Sequence, residues 1–437
     1  MSELKSLQII TLGCSKNTVD TEHLLYQLKG KYDLIGEEQG DVPWTDYLLI
    51  NTCGFIGDAK QESVDTVLGA VRRKQEGRVG KVAVFGCLSE RYAGELPSLI
   101  PEVDAWFGAR DLAPVCRYLG VEVPSDWTLR LRTGGSPGTA FLKISEGCDR
   151  RCAYCAIPYI RGAHRSVPME TLEEEARALA REGVHELVLI AQDTTYYGLD
   201  LYRRRALGEL LQRLSLIEGI EWLRIHYSYP ADFPDDVLEQ MAHNPKVCPY
   251  LDIPLQHISD TVLSNMRRSI DSRGTRELIA RLRAQVPGVV LRTTMIVGHP
   301  GEGEREFEEL LDFVREARFE RLGAFAYSEE EGTYGARTFR DEVPQELKQE
   351  RLSRLMELQQ GISLAFNESR VGSTERVLVD EWTDGVLVCR SCYESPEVDG
   401  EILVTPGPGV DPSALPGTFL NVRITAADAY DLKAEII

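Results

Sequence analysis

Along roughly the first 120 residues, apolar and polar positions switch between two periods, one of strands and one of helices. LQIITLG (7–13), DYLLINT (46–52) and KVAVFG (81–86) are short β-like runs. Each is followed by a stretch with helical spacing: NTVDTEHLLYQLKG, IGDAKQESVDTVLGAVRRK and SERYAGELPSL. Strand then helix, repeated, predicts an open parallel α/β sheet with crossover helices. The Gly/Ser/Pro-rich TGGSPGT (133–139) marks a boundary. Beyond it a second series runs through AFLKISE (140–146), ELVLIAQD (186–193), WLRIHYSY (222–229), YLDIPLQ (250–256), VVLRTTMIVG (289–298) and RLGAFAYS (321–328). Charged helical patterns separate these six strands, which predicts a partial, TIM-like (β/α)6 barrel, two units short of a full one. PQELKQERLSRLMELQQGISLAF (344–366) predicts one amphipathic helix. After Arg370 come the short strands RVLVDEW, GVLVCR, GEILVT and FLNVRIT with the turn PGPGVDPSALPGT, which predict a small antiparallel β-barrel of OB-like type. The expected fold is therefore multidomain α/β, divided at 1–132, 137–367 and 370–437.

Composition narrows the function. The chain has 437 residues, 43% of them hydrophobic and 27% charged, as in globular proteins. No apolar run approaches the ~20 residues that span a bilayer. The opening MSELKSLQIITLGC reads as a tail entering a first strand and lacks the apolar segment and cleavage site of a signal peptide. A cytoplasmic protein without membrane partners is predicted. Sixty-nine acids against 49 bases give a formal charge of −20, the opposite bias from a typical nucleic-acid binder. Residues 371–437 alone hold 12 acids and 4 bases, so direct nucleic-acid binding by this module is not expected.

Ten cysteines in a reducing compartment point to metal or catalysis rather than disulfides. Three of them fall in SEGCDRRCAYCAIP (145–158) as Cys148, Cys152 and Cys155, spaced C-x3-C-x2-C at the end of the first barrel strand. A structural zinc site wants a fourth ligand, and no second C-x2-C or His pair follows at suitable spacing. Three thiolates on a four-iron cluster leave one iron open for a ligand, which is what a cluster needs to do chemistry. Other barrel strands carry polar residues near their carboxyl ends: Gln192 and Asp193, His226 and Ser228, Gln256 and His257, Arg292 and Thr294. In a parallel barrel such groups converge on the active face, although each alone could be a cap or a core polar residue. A second set is dispersed. Cys14, Cys53 and Cys87 each follow a predicted strand, in TLGC, NTCGF and FGCL, where an open sheet forms its ligand crevice. The alternative is three unrelated small buried residues. Cys116 and Cys248 read as structural, and Cys389 with Cys392 as incidental, since residues three apart in a strand face opposite ways.

The C-x3-C-x2-C run resembles that of the radical S-adenosylmethionine (SAM) enzymes. TLGCSKNTVDTE, INTCGFIGDAKQES and VFGCLSER resemble the amino-terminal domain of the methylthiotransferases within that class, and the likeness extends along the chain in the same domain order. The resemblance implies two [4Fe–4S] clusters, one on Cys148, Cys152 and Cys155 where SAM is cleaved to a radical, the other on Cys14, Cys53 and Cys87. It implies that Tyr154 packs near the adenine, as an alternative to merely filling the barrel mouth, and that the Gly-rich VGHPGEGE, with Gly298, lies beside SAM. Gln192, Asp193 and Arg292 are the further candidates for cofactor contact. After the cluster motif the family continues with Arg-Gly and later Ser-Arg-Pro; here Arg161 and Gly162 match, but Val167 stands where the later arginine falls, with Arg165 two positions away. AQDTTYYGLD, YLDIPLQHISDTVLSNMRRS and RSCYESPEVDG resemble the branch that modifies an aspartate β-carbon of ribosomal protein S-twelve, free or in the small subunit, with an electron donor such as flavodoxin. The acidic terminal barrel suits a basic protein substrate better than phosphates. A tRNA adenosine methylthiotransferase, a non-catalytic iron–sulfur redox sensor that binds RNA, and a zinc protein are the alternatives.

Overall fold

Strands β1 (Ser6–Thr11), β2 (Asp33–Ile35), β3 (Thr45–Thr52), β4 (Val79–Gly86) and β5 (Ala105–Trp106) form one parallel sheet in the order β2-β1-β3-β4-β5. Alternation along each strand loads both faces. Leu7, Ile9, Leu49, Ala83 and Phe85 pack on one side, while Leu48, Ile50, Val82 and Val84 pack on the other. Helices Ser15–Leu28 and Gly57–Gln75 make the crossovers. In this computed structural model, residues 4–36, 44–407, 409 and 411–437 are described. The first three residues of the expected tail, and Pro408 and Val410 of the Gly/Pro turn, lie outside them. The sheet belongs to a compact unit that also includes 146–150 and 155–165; a second unit comprises 134–145, 151–154 and 166–437.

The second unit is built on six parallel strands. Strand β6 (Thr139–Lys143) is followed by two-residue strands β7 (Ser145–Glu146) and β8 (Arg165–Ser166), then by β9 (Glu186–Ile190), β10 (Trp222–Ile225), β11 (Val247–Asp252), β12 (Val290–Val297) and β13 (Arg321–Ala326). The sheet order β13-β12-β11-β10-β9-β6 follows the chain, with β6 and β13 as unpaired edges. This is the expected open (β/α)6 arrangement. Outward residues such as Leu187, Leu189, Leu223, Ile225 and Leu251 pack beneath the helices. The helix expected at 344–366 spans Gln345–Ser369.

Strands β14 (Thr374–Thr383), β15 (Val386–Arg390), β16 (Ile402–Thr405), β17 (Phe419–Ala427) and β18 (Leu432–Ile436) close a small barrel in the order β14-β15-β16-β18-β17. The pattern at the end of the chain conceals β18, because the middle one of its inward positions Leu432, Ala434 and Ile436 is a small alanine, and it pairs parallel with β16. Likewise, β2 and β5 are too short to show a period, and the helix expected at 89–99 is two pieces, Cys87–Arg91 and Leu96–Leu99, separated around Gly94.

The terminal barrel caps the inside of the six-stranded one. Trp222, Cys248, Tyr250 and Val290 from β10–β12 pack with Leu378, Phe419, Cys392 and Tyr393. Cys389 instead lies in the terminal barrel's own core, so the two cysteines do face opposite ways. The loop 391–399 brings charge into this interior. Glu186, fully buried, receives Arg224 Nε at 2.7 Å and Arg390 Nη1 at 2.8 Å. Glu394, equally buried, pairs with Arg321 at 3.0 Å and with Arg370. Burial alone would raise these carboxyls; the arginines outweigh it, and both sit lowered at about 2.

A buried pair that loses one partner strands the other, so Glu394→Ala should cost about 3–5 kcal/mol in urea unfolding. Because the folded-state values lie below the ordinary 4.5, the unfolded chain takes up these protons first. This contribution is therefore whole above about pH 4.5 and disappears as pH falls toward 2. Thermal melts across that window should show a shallower acid slope for Glu394→Ala than for the parent chain.

Candidate active site

Strands β1, β3 and β4 are neighbours in register, with Thr11 opposite Asn51 and Thr52 opposite Gly86. Cys14, Cys53 and Cys87 follow their carboxyl ends, so the dispersed set shares one sheet edge. Local chemistry draws these turns together. The Asn17 amide donates to Leu12 O at 2.8 Å and Thr52 O at 3.2 Å, and Ser63 Oγ accepts from Cys53 N at 3.0 Å. Gly13, at φ +94°, leaves no room for a side chain: a Cβ there would lie 3.0 Å from Cys53 Sγ. Gly86, at φ +103°, has Asn51 Oδ1 2.5 Å from where a Cβ would be. The thiols feel one another as well. Burial pushes Cys87 up to about 11, with Arg161 opposing and Cys14 and Cys53 adding to the rise. Burial also raises Cys53, opposed by the Phe55 N–H and reinforced by Cys14. Soft thiols held this way suit iron, which would displace their protons on binding. Among the described residues, no three His, Cys, Asp or Glu side chains close on a single-ion position.

The loop of the second cysteine set is shaped by Gly147, at φ +77°, where a Cβ would lie 2.2 Å from Ala163 O. That close approach lets Cys148 N donate to Gly162 O at 3.0 Å, and Arg150 N point at Cys148 Sγ at 3.4 Å. Cys155, half-buried, opens the segment 155–165 of the same unit. In the second unit, Ala153 N donates to Met266 O and Ala153 O accepts from Gly335 N, which pins 151–154. Cys152 there meets a buried arginine that sequence reasoning did not single out. Arg268 Nη1 lies 3.5 Å from Cys152 Sγ and 3.5 Å from Tyr154 Oη, while Nη2 donates to Pro254 O at 2.7 Å. Its guanidinium stacks 4.2 Å from the Tyr229 ring centroid.

The polar residues of the strand ends divide. Tyr227 and Gln256, just past β10 and β11, adopt left-handed φ of 57° and 76°, strain of a kind that clusters at active sites. Asp193 Oδ1 caps the turn 194–196 through Thr195 N and Oγ1. Gly298 N donates to Glu302 Oε1, a fully buried carboxylate that also meets His257 and Arg351. Glu302 of VGHPGEGE thus braces the turn from within, while Glu304 faces outward. Gly298 itself, at φ +75°, has Lys348 Cγ 2.4 Å from where a Cβ would be.

Family comparisons agree with this arrangement. Residues 142–314 match the radical SAM superfamily, 371–437 the TRAM domain, and 6–108 a family described as uncharacterized protein family UPF0004. The chain is 51% identical over 432 residues to the ribosomal protein uS12 methylthiotransferase RimO of Porphyromonas gingivalis, covering 99% of each protein. It is 47% identical to that of Bacteroides thetaiotaomicron, over 99% of this chain and 98% of the other. The chain belongs to the RimO family. RimO proteins are radical SAM methylthiotransferases, and the superfamily works with a [4Fe–4S] cluster and SAM. Among solved structures, the fold resembles the radical SAM methyltransferase TsrM of Kitasatospora setae, with cobalamin and a [4Fe–4S] cluster bound, at TM-score 0.56 and 12% identity, over 95% of this chain and 84% of that one.

In this RimO-family chain one expected placement needs correction. Arg292 is the third residue of the eight-residue β12 and lies inside the barrel, short of the carboxyl end. It pairs with Asp252 at 2.8 Å and approaches Asp399 of the terminal barrel at 3.6 Å. His226 is similarly engaged, 2.5 Å from Ser395 Oγ. The error has a simple source: the expected strand, 289–298, ends close to the observed one, and Arg292 was grouped with the strand ends for its polarity although it lies mid-strand. The loop 391–399 that claims both residues carries no periodic signal, and only the resemblance of RSCYESPEVDG to the S-twelve-modifying branch singled it out.

Gly86→Ala combines left-handed strain with a clash against β3. Gly120, at φ +68°, has open space around it. Both alanine variants should be less stable in urea, Gly120→Ala by about 1 kcal/mol and Gly86→Ala by about 2–3 kcal/mol or more.

Proposed function

We propose that this chain transfers a methylthio group to the β-carbon of an aspartate in ribosomal protein uS12. In this reading Cys148, Cys152 and Cys155 hold a SAM-binding [4Fe–4S] cluster, and Cys14, Cys53 and Cys87 hold a second. The observation that carries it is the convergence of Cys14, Cys53 and Cys87 on one sheet edge in a chain of the RimO family. When bound, the first cluster would supply the electron that cleaves SAM, and the second would supply the sulfur for transfer.

The chain's own groups have definable tasks in this scheme. Gly147 and the Gly162 carbonyl hold Cys148 in a fixed turn, and Arg268 orients Cys152 and Tyr154 from behind. Burial beneath Cys87 and Cys53 keeps water from the thiolates, and the left-handed turns at Tyr227 and Gln256 are held rigid by their own backbones, Tyr227 O accepting from Thr194 N and Gln256 N donating to Thr294 O. The uS12 names of the relatives support the substrate, and so does the charge of the terminal barrel. Twelve acids against four bases would repel RNA phosphates and attract a basic ribosomal protein. We place the reaction in the cytoplasm with a flavodoxin-like electron donor, and read the functional divisions at 1–132, 137–367 and 370–437.

Anaerobically reconstituted protein should hold about eight irons, falling to about four when Cys14, Cys53 and Cys87 are all replaced by alanine. Given SAM and reductant, it should add about 46 Da, SCH3 for H, to uS12. The same gain on tRNA with none on uS12 would overturn the substrate assignment. Cys152→Ala should abolish SAM cleavage outright; cleavage that persists in it would overturn the assignment of the first cluster.

A further inference from the structure

Arg161 belongs to the segment just after the C-x3-C-x2-C motif, yet its side chain is spent on the other cysteine set. Only 4% of it is exposed. Its Nε donates to Cys87 Sγ at 3.2 Å. Nη1 reaches Asp20 Oδ2 at 2.8 Å, Glu146 Oε2 at 3.1 Å and Ala109 O at 3.2 Å, and Nη2 reaches Asn17 Oδ1 at 2.5 Å. Asn17 is the residue that ties the turns of Cys14 and Cys53 together. Next in the chain, the Gly162 carbonyl accepts from Cys148 N. Two adjacent residues therefore grip one cysteine of each set, one by side chain and the other by backbone.

We propose that Arg161 is a positioning residue for the amino-terminal iron–sulfur site: it orients Cys87 as a ligand and offsets the negative charge that builds there. The inference rests on the reading that Cys14, Cys53 and Cys87 bind a cluster. The charges support it. Asp20 and Glu146 share this guanidinium with Cys87 Sγ, so one positive charge stands between two carboxylates and the sulfur. An N–H···S hydrogen bond and a nearby positive charge both favour the reduced form of a thiolate-bound cluster, and so raise its potential. Burial works against the guanidinium charge, but Glu146, Asp20 and Cys87 outweigh it and hold Arg161 protonated, well above the ordinary arginine value. The charge is therefore constant at any working pH. Lysine would keep the charge but lose the planar fork that serves sulfur, carboxylates and amide at once.

The test uses the full-length chain with Cys148, Cys152 and Cys155 replaced by alanine, so that only the amino-terminal site takes up iron. Arg161→Met and Arg161→Lys are made in that background, reconstituted anaerobically, and titrated electrochemically with EPR detection. Arg161→Met should load iron but shift the reduced-to-oxidised ratio at fixed potential at least tenfold toward oxidised, about 59 mV lower for one electron. Arg161→Lys should fall between it and the parent. A folded Arg161→Met that binds no iron while Arg161→Lys recovers it also supports the positioning role. If Arg161→Met does not fold, Arg161→Lys decides: a midpoint and EPR signal equal to the parent's overturn the inference, as equal values in Arg161→Met would. A parent background that holds no iron refutes the cluster reading itself, a separate result visible before any Arg161 variant is made.

Discussion

A carboxylate taken out of water must find a cation, and the second unit is organised by that rule. Glu186 and Glu394 lie at zero or near-zero exposure in a barrel interior that would otherwise be filled with aliphatic side chains. Each is met from two directions, Glu186 by Arg224 of β10 and Arg390 of β15, and Glu394 by Arg321 of β13 and Arg370 at the end of the long helix. Apolar packing of Trp222, Val290, Leu378 and Phe419 would tolerate small sliding between the two barrels. Ion pairs with fixed hydrogen-bond directions do not, so they set the register. The loop 391–399 is thereby both a wall of the terminal barrel and the floor of the larger one.

The first unit applies the same rule to a different end. Arg161 is buried with Asp20 and Glu146, and in isolation this would be a structural triad. The sulfur of Cys87 at 3.2 Å makes it more than that. Carboxylates alone would satisfy a buried cation; here one N–H is left over for a thiol, and the positioning role proposed above uses that N–H. Arg268, beside Cys152, repeats the arrangement in the second unit. Each cysteine set has a buried guanidinium touching one sulfur, although the two arginines come from unrelated parts of the sequence.

The sequence was most legible where physics is local. Strand–helix alternation announced both parallel sheets, because buried strands read as continuous apolar runs. Cys148, Cys152 and Cys155 were visible as candidates because the motif keeps them within one loop. Cys14, Cys53 and Cys87 were visible only through topology: adjacent parallel strands end on one edge, so residues just past them must meet. The partners of the cysteines were not legible. Asp20, Asn17 and Glu146 come to Arg161 from distant positions, and spacing holds no record of that. The fifth strand of the terminal barrel was lost because alanine fills the middle one of its three inward positions, and Arg292 was misplaced because a polar side chain mid-strand looks the same in the sequence as one at a strand end.

The acidity of the terminal barrel is the feature most exposed to misreading, since part of it is internal. Arg390 and Glu394 are buried in ion pairs, and the Asp399 side chain is buried beside Tyr250 and Arg292. Glu375 and Asp380 are likewise taken up by Arg370 and Arg390; setting aside that one base and these four acids leaves three bases against eight acids facing outward or half-buried. The sign therefore belongs to the surface and is not an artefact of the floor. A TRAM domain with so few cations has little with which to neutralise phosphates, and the counterion release that drives nucleic-acid binding is largely denied to it. The same surface offers a lysine- and arginine-rich protein a field that steers its approach. In the function proposed above, charge supplies the preference for a basic protein over RNA that the catalytic chemistry alone would not give.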